Sequence, residues 1–143
     1  MYITEELNTQ RVEAFEEELV DTLNKGTLSL MISIGHRTGL FDILSEMDPA
    51  TSQEIADAAG LQERYVREWL GAMSTGRIVE LVGTNGKTQY YLPPEHVASL
   101  SRKSPADSIA VFAQYISVLG KVEDKIVSCF KNGGGVSYSD FDH

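Results

Sequence analysis

The residue types that most often perform chemistry are thinly scattered in this sequence. The three histidines, His36, His96 and His143, lie far apart, and no HxxxH or HxxE spacing joins one of them to a second metal ligand on a helix. Cys129 has no histidine near it in sequence, and no GxSxG string is present. The sequence therefore predicts no metal site and no nucleophile paired with a base, and Cys129 is interpreted as a small buried hydrophobe.

Two further patterns are typical of phosphate or nucleic-acid binding. Gly133, Gly134 and Gly135 follow a predicted helix rather than a strand and lack the Lys-Ser/Thr of a phosphate loop, so they predict a hinge. The stretch TSQEIADAAGLQERYVREWLGAM has the pattern of a DNA reader, in which a second helix carries Arg64 and Arg67. The second pattern requires a basic surface around it.

The charge needed to bind DNA is missing from the sequence. The net charge is −9, and residues 1–21 alone contribute −6. Arg64 and Arg67 stand at i, i+4 spacing from Glu68 and Glu63, so we expect both arginines to pair within their own helix. Lys87 is the single lysine expected on the wing, and residues 62–92 sum to +1. We therefore expect no nucleic-acid partner.

The elements that position these residues begin with a predicted amphipathic helix over residues 9–24. Its apolar stripe is followed by Asn24-Lys25-Gly26, which predicts that the helix ends there. The next stretch, TLSLMISIGHRTGLFDIL, is apolar nearly all round and predicts a helix that is buried on several sides. Gly35 and Gly39 are expected to break it or to let a neighbour approach closely.

The middle of the chain predicts a winged helix–turn–helix. Thr51 and Glu54 form a capping box, Gly60 ends the first helix, and a second helix is expected over about 62–74. Val66, Leu70 and Met73 form its core stripe. Two β-rich runs, RIVELV and TQYYL, flank an Asn-Gly turn, which predicts a hairpin wing at about 78–92.

The part after the wing is longer than one winged helix needs. A short helix is expected in PPEHVASL, and a long helix is expected over about 105–131. Its apolar residues recur at spacings of three and four, and no charge falls between Ile109 and Leu119, which indicates a partner surface. We therefore predict a mainly α fold with additional N- and C-terminal dimerisation helices, a domain over 1–132, and a hinge and linker over 133–143.

The composition of the sequence predicts the cellular compartment of this domain. No apolar run reaches the roughly 18 residues of a membrane span, and the acidic N-terminus does not resemble a signal peptide. One cysteine cannot form an internal disulfide, so a reducing, cytoplasmic setting is expected. We expect the partner to be a second copy of the chain, which gives a homodimer. We expect no binding to a membrane.

Four strings carry a resemblance to a known family: LSLMISIGHRTGLFDIL, TSQEIADAAGLQERYVREWLGAM, YYLPPEHVASL and FKNGGGVSYSDF. They resemble the N-terminal region of class I S-adenosylmethionine-dependent methyltransferases that carry a winged helix ahead of their catalytic domain. The resemblance covers residues from about 11 to the end. It implies that the winged helix mediates dimerisation and covers the active site, while a Rossmann-like domain further on binds S-adenosylmethionine and a small-molecule methyl acceptor.

The sequence departs from that family because no strand followed by GxGxG occurs in it. We therefore expect an N-terminal, truncated part of such an enzyme, with no cofactor and no catalytic residue of its own. Phe112, Tyr115, Tyr138 and Phe141 are the residues that would face the substrate in the longer protein, although ordinary packing aromatics remain the alternative. A second hypothesis is a winged-helix transcriptional regulator, in which Arg64, Arg67 and Lys87 would read DNA.

Overall fold

The computed structural model describes residues 6–84 and 86–141, and helices dominate it. Within these residues the six α-helices are α1 (Thr9–Thr38), α2 (Leu40–Leu44), α3 (Ser52–Ala59), α4 (Glu63–Thr75), α5 (Pro94–Leu100) and α6 (Gln114–Asn132). Strands β1 (Glu80–Thr84) and β2 (Lys87–Tyr91) pair antiparallel, with Glu80 opposite Tyr91 and Thr84 opposite Lys87. Short 3₁₀ turns cover Ile109–Ala113 and Tyr138–Phe141. The predicted mainly α fold with a hairpin wing is confirmed.

The first helix is longer than predicted. Its expected end at Asn24-Lys25-Gly26 is wrong, because α1 continues through this point as one helix of 30 residues. Leu28 and Met31, which follow the predicted stop, pack against the core. Burial of these side chains outweighs the weak helix propensity of Asn24 and Gly26, as tertiary context commonly does. The helix ends at Gly39, whose φ of 78° gives the left-handed cap.

Gly35 lets α1 approach the rest of the core closely. A Cβ at this position would lie 2.4 Å from Cζ2 of Trp69 and 2.7 Å from Cε2 of Phe41. These two rings meet edge to face at 5.3 Å, and the indole N–H of Trp69 donates to the Met31 carbonyl at 2.8 Å. The roles expected of Gly35 and Gly39 are both confirmed.

The helix–turn–helix follows the predicted pattern. The Thr51 side chain accepts from the Glu54 amide, the Glu54 carboxylate accepts from the Thr51 amide, and Gly60 has a φ of 68°. On α4 the predicted core stripe is buried. Trp69 is buried beside it, whereas Tyr65, one turn earlier, is 74% exposed.

The core lies between the C-terminal half of α1, helices α2 to α4 and the base of the wing. Backbone hydrogen bonds between Ala50 and Tyr90 attach β2 to the segment before α3. The buried apolar residues of this core are Leu40, Phe41, Leu44, Ala50, Ile55, Ala56, Val66, Trp69, Leu70, Met73, Val79, Leu92 and Ala110.

The last long helix starts later than predicted. Residues 105–108 are not helical, a 3₁₀ turn precedes the helix, and α6 begins at Gln114 rather than near 105. The connection before it is held to the preceding elements, since the Ser108 hydroxyl donates to the Leu100 carbonyl at 3.1 Å. This bond holds Ser108, which was expected to lie in the first turn of the long helix.

Candidate functional site

The N-terminal half of α1 leaves the body of the domain. We call residues 9–25 the arm; each of them is exposed, whereas buried positions in α1 begin with Ser33. The arm nevertheless carries a stripe of large apolar side chains. The exposed fractions of these side chains are 37% for Val12, 63% for Phe15, 47% for Leu19, 55% for Val20 and 64% for Leu23. Such a stripe on a lone helix requires a covering surface.

An open apolar groove runs between α1 and α6 on the same molecule. It measures about 520 Å³ and is lined by Leu30, Ile116, Ser117, Leu119, Gly120, Glu123, Ile126, Val127 and Phe130. We call it the α1–α6 groove. A second hollow of about 360 Å³ shares Ile116 with it and includes Phe112 and Ile109. No arm residue lines either hollow.

Helix α6 presents one narrow face to its own domain. Val118 and Val122 are its buried residues. Most of the apolar stripe predicted from spacing points elsewhere, with Leu119 at 52% and Phe130 at 88% exposure. The spacing identified an apolar surface correctly, and the structure adds that the chain itself does not cover it.

The four aromatic residues expected to face a substrate fall into two separate pairs. Phe112 and Tyr115 stack with ring centroids 6.0 Å apart, and each is more than half exposed. Tyr138 and Phe141 bound the 3₁₀ turn after the three glycines, and Tyr138 is 95% exposed. Within residues 6–84 and 86–141, no ring contact joins the two pairs.

The turn that carries Tyr138 is held against α6 by an ion pair. The Lys125 ammonium group donates to the Asp140 carboxylate, and this bond lowers the pKa of Asp140. Gly133 and Gly134, with φ values of 72° and 93°, let the chain turn back after α6. Lys125, to which this turn is attached, follows Tyr115 by ten residues, which is about 15 Å along a helix. The attachment point is therefore well separated from the Phe112–Tyr115 pair.

The residues that would read DNA under the second hypothesis lie on α4 and the wing. Arg67 pairs with Glu63 at 3.7 Å, as predicted. The predicted pair of Arg64 with Glu68 is wrong: among the described residues no carboxylate lies within ion-pair distance of Arg64. An exposed pair gains little over hydration, so the two side chains stay in water.

The wing carries little positive charge. Lys87 is exposed at the start of β2. Its charge contributes to lowering the pKa of Glu54, a shift that comes first from the hydrogen bonds of Thr51. The exposed surface of the helix–turn–helix thus mixes both signs of charge.

Hydrogen bonds and an ion pair around Asp42, which we call the ionic clamp, join α2 to the residues that follow α5. The sequence did not predict this cluster. Asp42 on α2 accepts from the backbone amide of Arg102 at 2.7 Å, from the Arg102 guanidinium at 2.8 Å and from the Ser101 hydroxyl at 3.0 Å. Arg102 also donates to the His36 carbonyl at the end of α1. Burial acts to raise the pKa of Asp42, but the bonds from Arg102 and Ser101 outweigh it and the pKa is lowered.

The two histidines that the structure describes, His36 and His96, lie against backbone and core atoms of the domain. His36 is 7% exposed and its Nδ1 has no hydrogen-bond partner; burial, and then the charge of Arg102, lower its pKa, while Asp42 opposes them. His96 Nδ1 lies 2.7 Å from the Ile78 carbonyl. His143 lies outside the described residues. In the described part of the chain, no three His, Cys, Asp or Glu residues are grouped closely enough to hold a metal ion.

Among the helices of the described residues, none combines the length and the apolar character that a bilayer span requires.

Solved structures share this arrangement of helices and wing. Human N-acetylserotonin methyltransferase in complex with SAM matches 99% of this chain and 39% of its own, at 17% identity and a TM-score of 0.71. Mitomycin 7-O-methyltransferase MmcR matches 94% and 38%, at 20% identity and 0.69. CalO1, a methyltransferase in calicheamicin biosynthesis in its SAH-bound form, matches 96% and 38%, at 18% identity and 0.61. The chain therefore spans about two fifths of these structures, and identities this low show the fold alone.

The sequence comparisons give one family. No curated protein matches the chain. The model of the Rv2258c-like winged HTH domain matches residues 26–102, which is more than half of the chain and ends at the clamp residue Arg102. The chain thus belongs to the Rv2258c-like winged HTH domain family, and its fold resembles the N-terminal part of S-adenosylmethionine-dependent methyltransferases.

Proposed function

We propose that the chain is the N-terminal accessory domain of an S-adenosylmethionine-dependent methyltransferase, in which it pairs two protomers and covers the substrate site. The proposal is supported by the fold shared with methyltransferases, of which the chain matches 38–39%. In this account the cofactor and the methyl acceptor bind to a longer protein, and residues 1–132 perform no chemistry themselves. Residues 133–143 then form the hinge that leads towards the catalytic domain.

A single observation carries the pairing: the chain contains both an uncovered apolar stripe and an uncovered apolar groove. The arm continues the α1 helix away from the groove lining, and no arm residue lines the groove of its own chain. A second copy offers both surfaces in exchange, which gives the self-complementary contact of a twofold dimer. The net charges of the two surfaces are also of opposite sign, because the arm sums to −3 while α6 sums to +1.

The exposed aromatics fit the substrate-covering role. The stacked Phe112 and Tyr115 stand at the start of α6, and Tyr138 stands where the chain leaves the domain. Aromatic faces of this kind exclude water from a reacting group when a second domain closes on them. We propose that Phe112, Tyr115, Tyr138 and Phe141 form the substrate-facing side of the domain in the longer protein.

A second candidate function is a winged-helix DNA-binding regulator. It is favoured by the exposed Arg64, which has no ion-pair partner within the described residues, and by the exposed Tyr65 beside it. Binding to a duplex would require more phosphate contacts than Arg64 and Lys87 supply, and Glu63 already engages Arg67. The dimerising accessory domain remains the function that the geometry supports best.

The pairing is tested by changing the arm. The double substitution Phe15→Asp and Leu19→Asp puts two charges into the proposed interface, and light scattering measures the mass of the particle. The matched control is Leu81→Asp, which changes an apolar residue on the wing that is 56% exposed. We expect wild type and Leu81→Asp to form dimers and the arm variant to be monomeric. An arm variant with the mass of the wild type would contradict the proposal.

The methyltransferase assignment has its own test. Calorimetry with S-adenosylmethionine is expected to give no binding to the 143-residue chain, because the glycine turn after a strand that holds such a cofactor is absent from its sequence. A longer gene product that contains this chain is expected to bind the cofactor. Tight binding by the 143-residue chain alone, or none by the longer product, would contradict the assignment.

A further inference from the structure

The contacts of α1 change abruptly along its length. Every arm residue is exposed and none packs against the core, whereas Leu28, Met31 and Ile32 do so and Ser33, Gly35 and His36 are buried. The change falls within one turn, at residues 24–28. A helix that is anchored at one end only depends, at the other end, on its own local stability.

Gly26 lies at this junction and has no packing reason to be glycine. A Cβ there would meet no atom within 4 Å, in contrast to the 2.4 Å contact at Gly35. Its φ is not positive either, so no turn requires it. Glycine in a helix interior costs about 1 kcal/mol relative to alanine. The effect of Gly26 is therefore to weaken the helix at the point where the arm leaves the core.

The neighbouring side chains weaken the same turn. The hydroxyls of Thr22, Thr27 and Ser29 each donate to the carbonyl four residues earlier, at 2.9, 3.2 and 2.9 Å. Such back-bonding slightly destabilises helices and bends them. The Lys25–Asp21 ion pair is fully at the surface, where a pair contributes little.

Beyond the Asn8 cap and the Lys25–Asp21 pair, the arm has few of the local interactions that sustain a lone helix. Glu13 and Glu17, and Glu17 and Asp21, are like charges at i, i+4 spacing, which oppose helix formation. Isolated helices shorter than about 12–15 residues are marginal in water even for alanine-rich sequences. The arm is only slightly longer than this limit, and its sequence is less favourable.

We propose that α1 is jointed at Gly26 and that the arm becomes a stable helix only when it docks on a second copy. This inference rests on the proposed dimer and adds a regulatory property to it: association is coupled to folding of the arm. The continuous α1 helix is then the docked conformation. The anchored half, from Leu28 onwards, stays helical in the separate protomer because the core holds it.

The test compares two glycine-to-alanine substitutions at exposed helical positions. Gly26→Ala strengthens the joint, and Gly71→Ala on α4 is the matched control, since a Cβ there also meets nothing within 4 Å. The measurements are the dimer dissociation constant by sedimentation and hydrogen exchange of amides 9–25 in dilute protein. Both variants are expected to fold, because neither introduces a clash.

The expected result is specific to the joint. Gly26→Ala should tighten the dimer by about 25-fold, which is roughly fivefold for each of the two arms. Gly71→Ala should leave the dissociation constant unchanged and should raise only the midpoint of denaturation. Amides 9–25 of the dilute wild type should exchange rapidly and should become protected as the dimer forms.

Two outcomes would overturn different statements. A wild-type dimer whose dissociation constant is the same in Gly26→Ala, with amides 9–25 protected in the protomer, would refute the joint and leave the dimer standing. A wild type that is monomeric at every concentration would refute the dimer of the proposed function.

Discussion

The substitution Asp42→Asn tests whether the ionic clamp holds the end of the winged helix to its beginning. It keeps the shape of the side chain but removes its charge. Asp42 accepts three hydrogen bonds from Ser101 and Arg102, and its side chain is 17% exposed. We expect the free energy of unfolding to fall.

The size of the effect follows from these contacts. Hydrogen bonds to charged groups contribute about 1.5–3 kcal/mol each, but the Arg102 side chain is 47% exposed and solvent screens its share. Asparagine retains one acceptor oxygen for the backbone amide of Arg102. A net loss of about 2 kcal/mol is therefore expected, which is large against the marginal stability of a domain.

The dependence on pH gives the clamp a second signature. Because the pKa of Asp42 is lowered on folding, its contribution is present above the ordinary value of about 3.9 and is lost as the pH falls through the lower folded value. The stability of the wild type should fall across this acid range. Asp42→Asn should lack this component.

Urea denaturation, repeated from neutral to acid pH, is the assay. Glu46→Gln is the matched control: it breaks the Glu46–Lys103 ion pair, which joins the same two segments at 2.6 Å but is exposed on both sides. The control substitution should lower the free energy of unfolding by less than about 1 kcal/mol. If Asp42→Asn is no more destabilising than Glu46→Gln, or keeps the full acid dependence, the reasoning about the clamp is refuted.

Three further predictions concern the core and the recognition helix. Gly35→Ala should destabilise the fold by about 1–3 kcal/mol through overpacking against the Trp69 ring, whereas Gly71→Ala should not; thermal melting of both checks this. Because the pKa of His36 is lowered on folding, its contribution to the free energy of unfolding should be complete above about pH 6.5 and should decrease as the pH falls below that value. In denaturation curves, His36→Gln should reduce this dependence of stability on pH. An unchanged dependence would contradict the prediction. Duplex DNA should bind weakly, with a salt slope on the order of one or two phosphate contacts, and Arg64→Ala with Arg67→Ala should change it little; a tight, sequence-selective complex that this pair abolishes would favour the regulator.

Local signals predicted the helix–turn–helix closely. The Thr51–Glu54 capping box, Gly60 and the stripe of Val66, Leu70 and Met73 act within a few residues of each other, so their spacing contains the information. The hairpin position followed equally from short-range turn chemistry, although Asn85 of its Asn-Gly turn lies outside the described residues.

The sequence-based predictions were wrong or incomplete where contacts between distant residues determine the structure. Packing of Leu28 and Met31 carried α1 through a sequence that predicted its end. The clamp joins Asp42 to a residue 60 positions away, and no periodicity connects them. Its one signal in the sequence was a carboxylate inside the apolar string GLFDIL. The apolar stripes were predictable from spacing, but only the structure shows that the arm and the α1–α6 groove are both left uncovered.

Pairing of this chain with a copy of itself, through the arm and the α1–α6 groove, is measured by sedimentation equilibrium of the wild-type chain at tens of micromolar. We expect a particle of twice the 15.8 kDa chain mass that dissociates on dilution. A particle of 15.8 kDa throughout that concentration range would contradict it.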